Sequence, residues 1–310
     1  MELIRGLHNL RARHRGCAVT IGNFDGMHLG HQALLAQLRE AATGDGLAPT
    51  VVTFEPQPRE YFTPAAAPSR LTRLREKLDL LREAGAARVL CLRFDERLAT
   101  LEAEKFIETV LAQGLGARVV IIGDDFRYGR ERRGDLALLA SEGERHGYRV
   151  ERAKTFCIDG KRVSSSRVRA ALEAGAMVEA CRLLGRHYSM SGRVAHGEKR
   201  GRELGYPTLN IDLHRVRTPV EGIFAARVHG LDAGPLPAMA YIGDRPVVQG
   251  EYKRLEVHVF DFADDCYGRH VRVELVRKLR EDMPFVSLQA MREQLHRDAI
   301  DARAALRPVS

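Results

Sequence analysis

Ile21-Gly22-Asn23-Phe24-Asp25-Gly26-Met27-His28-Leu29-Gly30-His31 joins the apolar run Cys17-Ala18-Val19-Thr20-Ile21 to an amphipathic stretch over 32–42. A short apolar run, then glycines, then a helical period reads as strand, turn and helix. The alternation recurs, with apolar runs at 49–54, 88–92 and 118–122 and amphipathic stretches over 70–84, 101–113 and 135–145. Leu71, Leu74, Leu78 and Leu81 show the helical spacing. This pattern predicts βαβ units and a parallel sheet with both faces covered. Ligands of such sheets lie beyond the carboxyl ends of the strands, so the chemistry is sought in the turns that follow the apolar runs.

The pattern changes near residue 185. Helical stretches at 166–173 and 178–184 end at Gly185, and β-rich segments follow at 188–194, 207–211, 222–228, 239–242, 254–262 and 269–276. Gly197, Gly201, Gly205, Gly230, Gly234, Asp264 and Asp265 punctuate them. Short strands with turn signals predict an antiparallel barrel or sandwich. Leu288, Met291 and Leu295 mark a closing helix. The predicted organisation is an α/β domain with a parallel sheet over 1–185 and a small antiparallel β domain with a closing helix over 186–310.

Composition agrees with two globular domains. The chain has 310 residues, 45% hydrophobic and 29% charged, which excludes disorder and a fibre. Its 49 basic and 41 acidic residues leave a net charge of +8, a balance that suits an anionic ligand or a solvated surface. Cys17, Cys91, Cys157, Cys181 and Cys266 form no Cys-x-x-Cys pair, so free thiols in a reducing cytoplasm are expected. The first residues carry no secretory signal pattern, and Val119-Val120-Ile121-Ile122 is far short of the roughly 20 apolar residues of a membrane helix. No lysine run or aromatic-basic RNA signature points to nucleic acid. The expectation is a cytoplasmic protein, monomeric or weakly oligomeric, with small-molecule partners.

The glycine- and histidine-rich turn is the first chemical feature. Gly22, Gly26 and Gly30 let backbone approach a ligand, and a helix start offers free N–H groups to phosphate. His28 and His31 share one face of the first turn and can donate hydrogen bonds to phosphoryl oxygens as charge develops. A metal pair is the alternative, without a carboxylate or cysteine at ligand spacing to support it. Downstream, Val163-Ser164-Ser165-Ser166-Arg167 opens another helix. Its serines can cap the helix or bind an anion, and Arg167 adds a bidentate fork.

His28-Leu29-Gly30-His31 with Ser164-Ser165-Ser166-Arg167 resembles the nucleotidylyltransferase superfamily, which implies a Rossmann-like sheet for the first domain. Thr53-Phe54-Glu55-Pro56-Gln57-Pro58 and Gly123-Asp124-Asp125-Phe126-Arg127-Tyr128-Gly129 are similar to the adenylyltransferase half of bacterial bifunctional FAD synthetases. The resemblance implies that Gly22, Phe24, Gly30, Asp125, Arg127, Ser164, Ser165 and Arg167 bind ATP phosphates beside His28 and His31. It also implies that Phe62, Phe106 and Tyr128 line a flavin site. Arg130, Arg132 and Arg133 extend the basic loop. Gln57 stands where the family usually has His, so no role is assigned to it.

In the β domain, Gly192-Arg193-Val194-Ala195-His196-Gly197-Glu198-Lys199 fails as a Walker loop, because Glu198 replaces the motif's Lys. Gly201-Arg202-Glu203-Leu204-Gly205-Tyr206-Pro207-Thr208-Leu209-Asn210 resembles the flavokinase signature. It implies an ATP-covering flap built on Gly192, Gly197, Lys199, Gly201, Arg202 and Gly205, and Mg²⁺ held by Thr208 and Asn210. Both supply hard oxygen ligands. In Leu255-Glu256-Val257-His258-Val259 the strand period puts Glu256 and His258 on one face. Family resemblance makes Glu256 the base, a carboxylate reaching into a barrel site. Val247 and Val286 depart from the common Thr and Asp.

The implied function is ATP-dependent phosphorylation of riboflavin to FMN, then adenylylation of FMN to FAD. Two other readings stay open on the residues alone. One is a nucleotidylyltransferase for another acceptor with an accessory β domain; the other is a flavin-sensing or nucleic-acid-binding protein.

Overall fold

The first half of the chain builds a sheet around its most apolar strand. The computed structural model describes residues 1–196, 205–213, 215, 217–245 and 252–307. In chain order come β1 (Glu2–Arg5), β2 (Cys17–Ile21), α1 (Leu29–Gly44), β3 (Ala48–Glu55), α2 (Pro58–Phe62), α3 (Leu74–Glu83) and β4 (Arg88–Arg93). Then follow α4 (Glu96–Ala99), α5 (Ala103–Phe106, continued by π-helical turns over Ile107–Gly114), β5 (Ala117–Ile122), α6 (Leu136–His146), β6 (Arg149–Arg152) and the hairpin β7 (Cys157–Ile158) and β8 (Lys161–Arg162). The six-stranded sheet has the order β1-β4-β3-β2-β5-β6, with every pairing parallel.

Alternate strand residues feed two cores, one on each face. Val19, Ile21, Val52, Phe54, Leu90, Leu92, Val120 and Ile122 pack against Phe106, Ile107 and Leu111. Ala18, Val51, Val89, Val119 and Ile121 pack against Leu35, Leu38 and Leu81. Burial on both faces is why these strands read as continuous apolar runs. The edge strands β1 and β6 have no such need, and their sequences Glu-Leu-Ile-Arg and Arg-Val-Glu-Arg carry no run to recognise.

The second half contains α7 (Ser165–Glu173), α8 (Met177–Leu184), β9 (Tyr188–Ala195), β10 (Leu209–Asp212), β11 (Gly222–His229), β12 (Leu236–Arg245), β13 (Tyr252–Val259), β14 (His270–Arg280) and α9 (Leu288–Leu306). Of the two predicted β architectures it is the closed barrel, in the order β10-β13-β12-β11-β14-β9. Every pairing is antiparallel. Phe224, Ala226, Val228, Ala238, Ala240, Ile242, Leu255, Val257, Val271, Val273 and Leu275 are buried at alternate strand positions and fill it. Helix α9 lies on the outer face, where Ala299, Ala302 and Leu306 meet Ile223, Ala225, Met239 and Phe260. A buried ion pair fastens it: Arg280 Nε and Nη2 donate to Asp298 at 2.9 and 2.8 Å, and Asp298 is 2% exposed.

By their contacts the residues divide into two units, Met1–Pro68 with Thr72–Val163, and Ser69–Leu71 with Ser164–Ser310. Helices α7 and α8 therefore belong with the barrel, α8 packing on β9 and β14. The change of pattern near residue 185 coincides with the left-handed C-cap of α8, Gly185 at φ 71°. The Ser69–Leu71 segment is tied into the second unit: Tyr188 Oη donates to the Leu71 carbonyl at 3.0 Å, and Arg215 Nη1 to the Arg70 carbonyl at 3.2 Å. All five cysteines are free. Among the described residues no helix is long and apolar enough to cross a membrane.

Candidate active sites

Strand β2 stands where the sheet order reverses, with β3 on one side and β5 on the other. The crevice beyond the carboxyl ends at such a point is where open α/β sheets take ligands. The glycine- and histidine-rich turn fills this position. His28 is the N-cap of α1, and its Nδ1 accepts from the His31 backbone N–H at 3.3 Å, which leaves the hydrogen of His28 on Nε2. The two imidazoles are stacked, 3.7 Å between centroids and 16° between planes, with Phe24 tilted against His31 at 5.1 Å. Gly30 allows this closeness: a Cβ there would lie 3.2 Å from both the His28 ring and the Val163 carbonyl.

The turn is strained and braced. Phe24 and Met27 hold φ of 49° and 43°, left-handed values that non-glycine residues adopt at a cost of about 1 kcal/mol or more each. Thr72 ties the loop from across the unit. Its N–H and hydroxyl donate to Asp25 Oδ1 at 2.9 and 3.1 Å, and its Oγ1 accepts from the Gly26 N–H at 3.0 Å. Gln32 adds a bond to the Met27 carbonyl at 2.9 Å.

The turn is also electropositive. Burial, with His28, Lys77 and Arg162 nearby, holds the His31 imidazole well below its ordinary pKa of 6.5. His31 Nδ1 is buried without a hydrogen-bond partner in the structure. Lys77, fully buried on α3, went unnoticed in the sequence because a lysine in an amphipathic helix reads as a solvated charge. Thr72 was missed as well; no local pattern links it to a loop 46 residues away. Arg162 donates to Asp125 Oδ1 at 2.8 Å and holds that carboxyl below its usual range. Arg127 is exposed and donates to the Asp124 and Phe126 carbonyls. Arg130 and Arg133 pair with Glu102 and Glu131 at the surface.

The three aromatics expected at a flavin site are not in one ring contact. Phe106 and Tyr128 are buried 5.7 Å apart, with Phe126 stacked on Tyr128. Phe62 is 61% exposed at the end of α2 and meets Tyr61 and Phe94 edge-on. Phe94 in turn meets Phe54, which shares a core with Phe106 and Tyr128. Phe54, Tyr61, Phe94 and Phe126 thus extend the aromatic surface beyond the residues singled out by motif. Gln57 is buried at the start of α2, its Nε2 without a partner.

Ser164, Ser165 and Arg167 belong to the second unit. Ser164 caps α7, its Oγ accepting from the Arg167 N–H at 3.3 Å, while the Arg167 guanidinium donates to Glu179 at 2.7 Å.

On the barrel, register decides the site. Asn210 of β10 and Tyr241 of β12 flank Glu256 of β13 as direct partners. Direct antiparallel partners have Cβ atoms about 5 Å apart. The carboxylate does not reach into the barrel: Val257 and Val259 point inward, and Glu256 and His258 are half-buried on the outer face. Thr208 immediately precedes β10. Gly192 lies inside β9, where a Cβ would come 2.6 Å from Ile211, so its smallness serves barrel packing. Gly205 takes φ 84°. Gly197, Lys199, Gly201, Arg202 and Val247 lie outside the described residues.

Paired imidazoles at a helix start beyond a parallel sheet, and the Asn210–Glu256 pair on a barrel, fit a two-unit enzyme that handles phosphate. The FAD synthetase family model matches residues 10–167 and the riboflavin kinase family model residues 184–306. The chain is 48% identical over 304 residues to the bifunctional riboflavin kinase/FMN adenylyltransferase of Escherichia coli (strain K12), covering 98% of this chain and 97% of the relative. It is 48% identical over 309 residues to the enzyme of the same description from Pseudomonas fluorescens, covering 99% of each. A crystal structure described as a macrolide-efflux protein from Streptococcus pneumoniae aligns at a TM-score of 0.82 and 28% identity, covering 98% of this chain and 99% of that one. The chain belongs to the bifunctional riboflavin kinase/FMN adenylyltransferase family.

Proposed function

We propose that the chain phosphorylates riboflavin to FMN at the barrel and adenylylates FMN to FAD at the parallel sheet, ATP being the co-substrate of both steps. The activities would divide near residue 185. The observation that carries this reading is the register of the barrel, which sets Asn210 directly opposite Glu256 on an accessible face.

In the kinase step Glu256 accepts the proton of the ribityl hydroxyl, and the oxygen so freed attacks the γ-phosphate while ADP leaves. A neutral alcohol gains from a positioned base. The hydroxyl of Thr208, the amide carbonyl of Asn210 and the neighbouring carboxylate form a hard, oxygen-only donor set that fits Mg²⁺. Thr208 and Asn210 would hold the ion, and when bound it neutralises phosphate charge. The chain's own share is positioning and electrostatics.

In the adenylyl step the FMN phosphate is already anionic and needs no base. Its oxygen attacks the α-phosphorus of ATP, and pyrophosphate leaves. His28 Nε2–H and neutral His31 offer hydrogen bonds to the charge that develops, in a site fixed before substrate arrives. Gly22, Phe24 and Gly30 give the polyphosphate close backbone approach. Asp125 and Arg127 extend the phosphate contacts of this unit; Ser164, Ser165 and Arg167, in the second unit, are further phosphate-binding candidates, Arg167 exchanging Glu179 for phosphate. Phe62, Phe106 and Tyr128 with their aromatic neighbours face the isoalloxazine. The flap glycines with Lys199 and Arg202 cover ATP at the barrel. The protein acts in the cytoplasm as a monomer or weak oligomer, with no nucleic-acid or membrane partner.

Incubation of the purified protein with riboflavin, ATP and Mg²⁺, with separation of the flavins, tests the reading. FMN and FAD both accumulate if it holds; unchanged riboflavin overturns it.

A further inference from the structure

We infer that His258 is a positioning residue for the kinase site: its Nδ1–H anchors the Pro207 carbonyl and so holds Thr208 and Asn210 against Glu256. The inference rests on the kinase reading above. His258 Nδ1 lies 2.9 Å from the Pro207 oxygen. A carbonyl only accepts, so Nδ1 carries the hydrogen. Pro207 has no N–H, and the ladder of β10 begins only at Leu209, so backbone pairing does not fix this stretch. The imidazole bond does, one residue before Thr208.

The ring itself is held. Tyr206 meets it edge-on at 5.1 Å and 74°, and Phe260 at 5.5 Å and 79°. Tyr206 Oη in turn lies 3.4 Å from His296 Nδ1 on α9. His258 is two residues from Glu256 on one strand face, and Glu256 is paired with Asn210. One face of β13 therefore presents the base and anchors the segment bearing both oxygen donors. Groups that orient ligand side chains in this way are typically worth about 10- to 100-fold in metal affinity or activity.

The test compares His258→Ala and His258→Asn in the full chain. Asparagine places an amide N–H near the position of Nδ1 and keeps the donor. Binding of Mn²⁺ in the presence of ADP is followed by the electron-spin resonance of the free ion, and the component lost in Thr208→Ala defines the barrel site. His258→Ala should weaken that component about 10- to 100-fold. His258→Asn should stay within about threefold of wild type, with FMN adenylylation unchanged in both. A Thr208-dependent component of wild-type affinity in His258→Ala overturns the inference alone, as does His258→Asn behaving like His258→Ala. If Thr208→Ala removes no component, the metal reading of the barrel falls and the inference with it.

Discussion

The two sites solve phosphate chemistry in opposite ways. The turn after β2 is sunk into its unit: His28 is 6% exposed, Asp25 is buried, two non-glycine residues are left-handed, and Thr72 braces the loop. The barrel site is a half-buried row of side chains, Asn210, Glu256 and His258, on the outside of a filled cylinder. The difference follows the nucleophile. An ionised phosphate needs fixed dipoles aimed at the transition state, which favours a rigid, dry turn. A neutral alcohol needs a proton acceptor, the role proposed for the accessible strand carboxylate of Glu256.

The largest effect that would break this contrast is at the base. Glu256→Gln keeps the shape of the strand but takes no proton, so FMN formation should fall about 10²–10⁴-fold while added FMN is still converted to FAD. The check is the initial rate of each step, measured separately. A kinase rate within a few-fold of wild type would make Glu256 an orienting group only.

His31→Ala removes a donor from the braced turn. Adenylylation should fall about 10²–10³-fold with riboflavin phosphorylation unchanged. Equal slowing of both steps would point to unfolding rather than to a lost contact.

A third experiment sharpens the contrast by separating the units. Helices α7 and α8 bury Val168, Leu172, Met177, Leu183 and Leu184. A barrel fragment starting at Ser164 should therefore be more stable than one starting at His187. Two large side chains returned to water already amount to about 3 kcal/mol or more. Urea midpoints of the two fragments measure it, and equal midpoints would show that the barrel does not need the helices.

The smallest expected effect concerns pH. The folded chain keeps His31 neutral below its ordinary pKa of 6.5, whereas the unfolded chain takes up a proton there. The unfolded state then binds more protons, so stability falls as pH drops below about 6.5, by up to about 1.4 kcal/mol per pH unit from this group. Above that pH the contribution is flat. His31→Gln should lose this slope in urea unfolding of the first unit at about pH 7.5 and pH 5.5. An unchanged slope would assign it to other groups.

Much of the architecture was legible because burial writes itself into the pattern. Strands covered on both faces, such as β2 and β5, must be apolar throughout, and barrel strands alternate. The candidate residues His28 and His31 stood out for a different reason, two imidazoles in one short turn, whereas the pairing of Asn210 with Glu256 came only from the register of β10 and β13. What the sequence left open depends on separations it does not encode. Edge strands β1 and β6 carry no apolar run because their faces are only partly covered. Thr72 and Lys77 meet the turn only through the tertiary structure, Thr72 across a separation of 46 residues. The strand period put Glu256 and His258 on one side, but only barrel closure decided that this side is the outside. It did so because six short strands can fill their interior with apolar side chains alone, leaving the polar face to the surface.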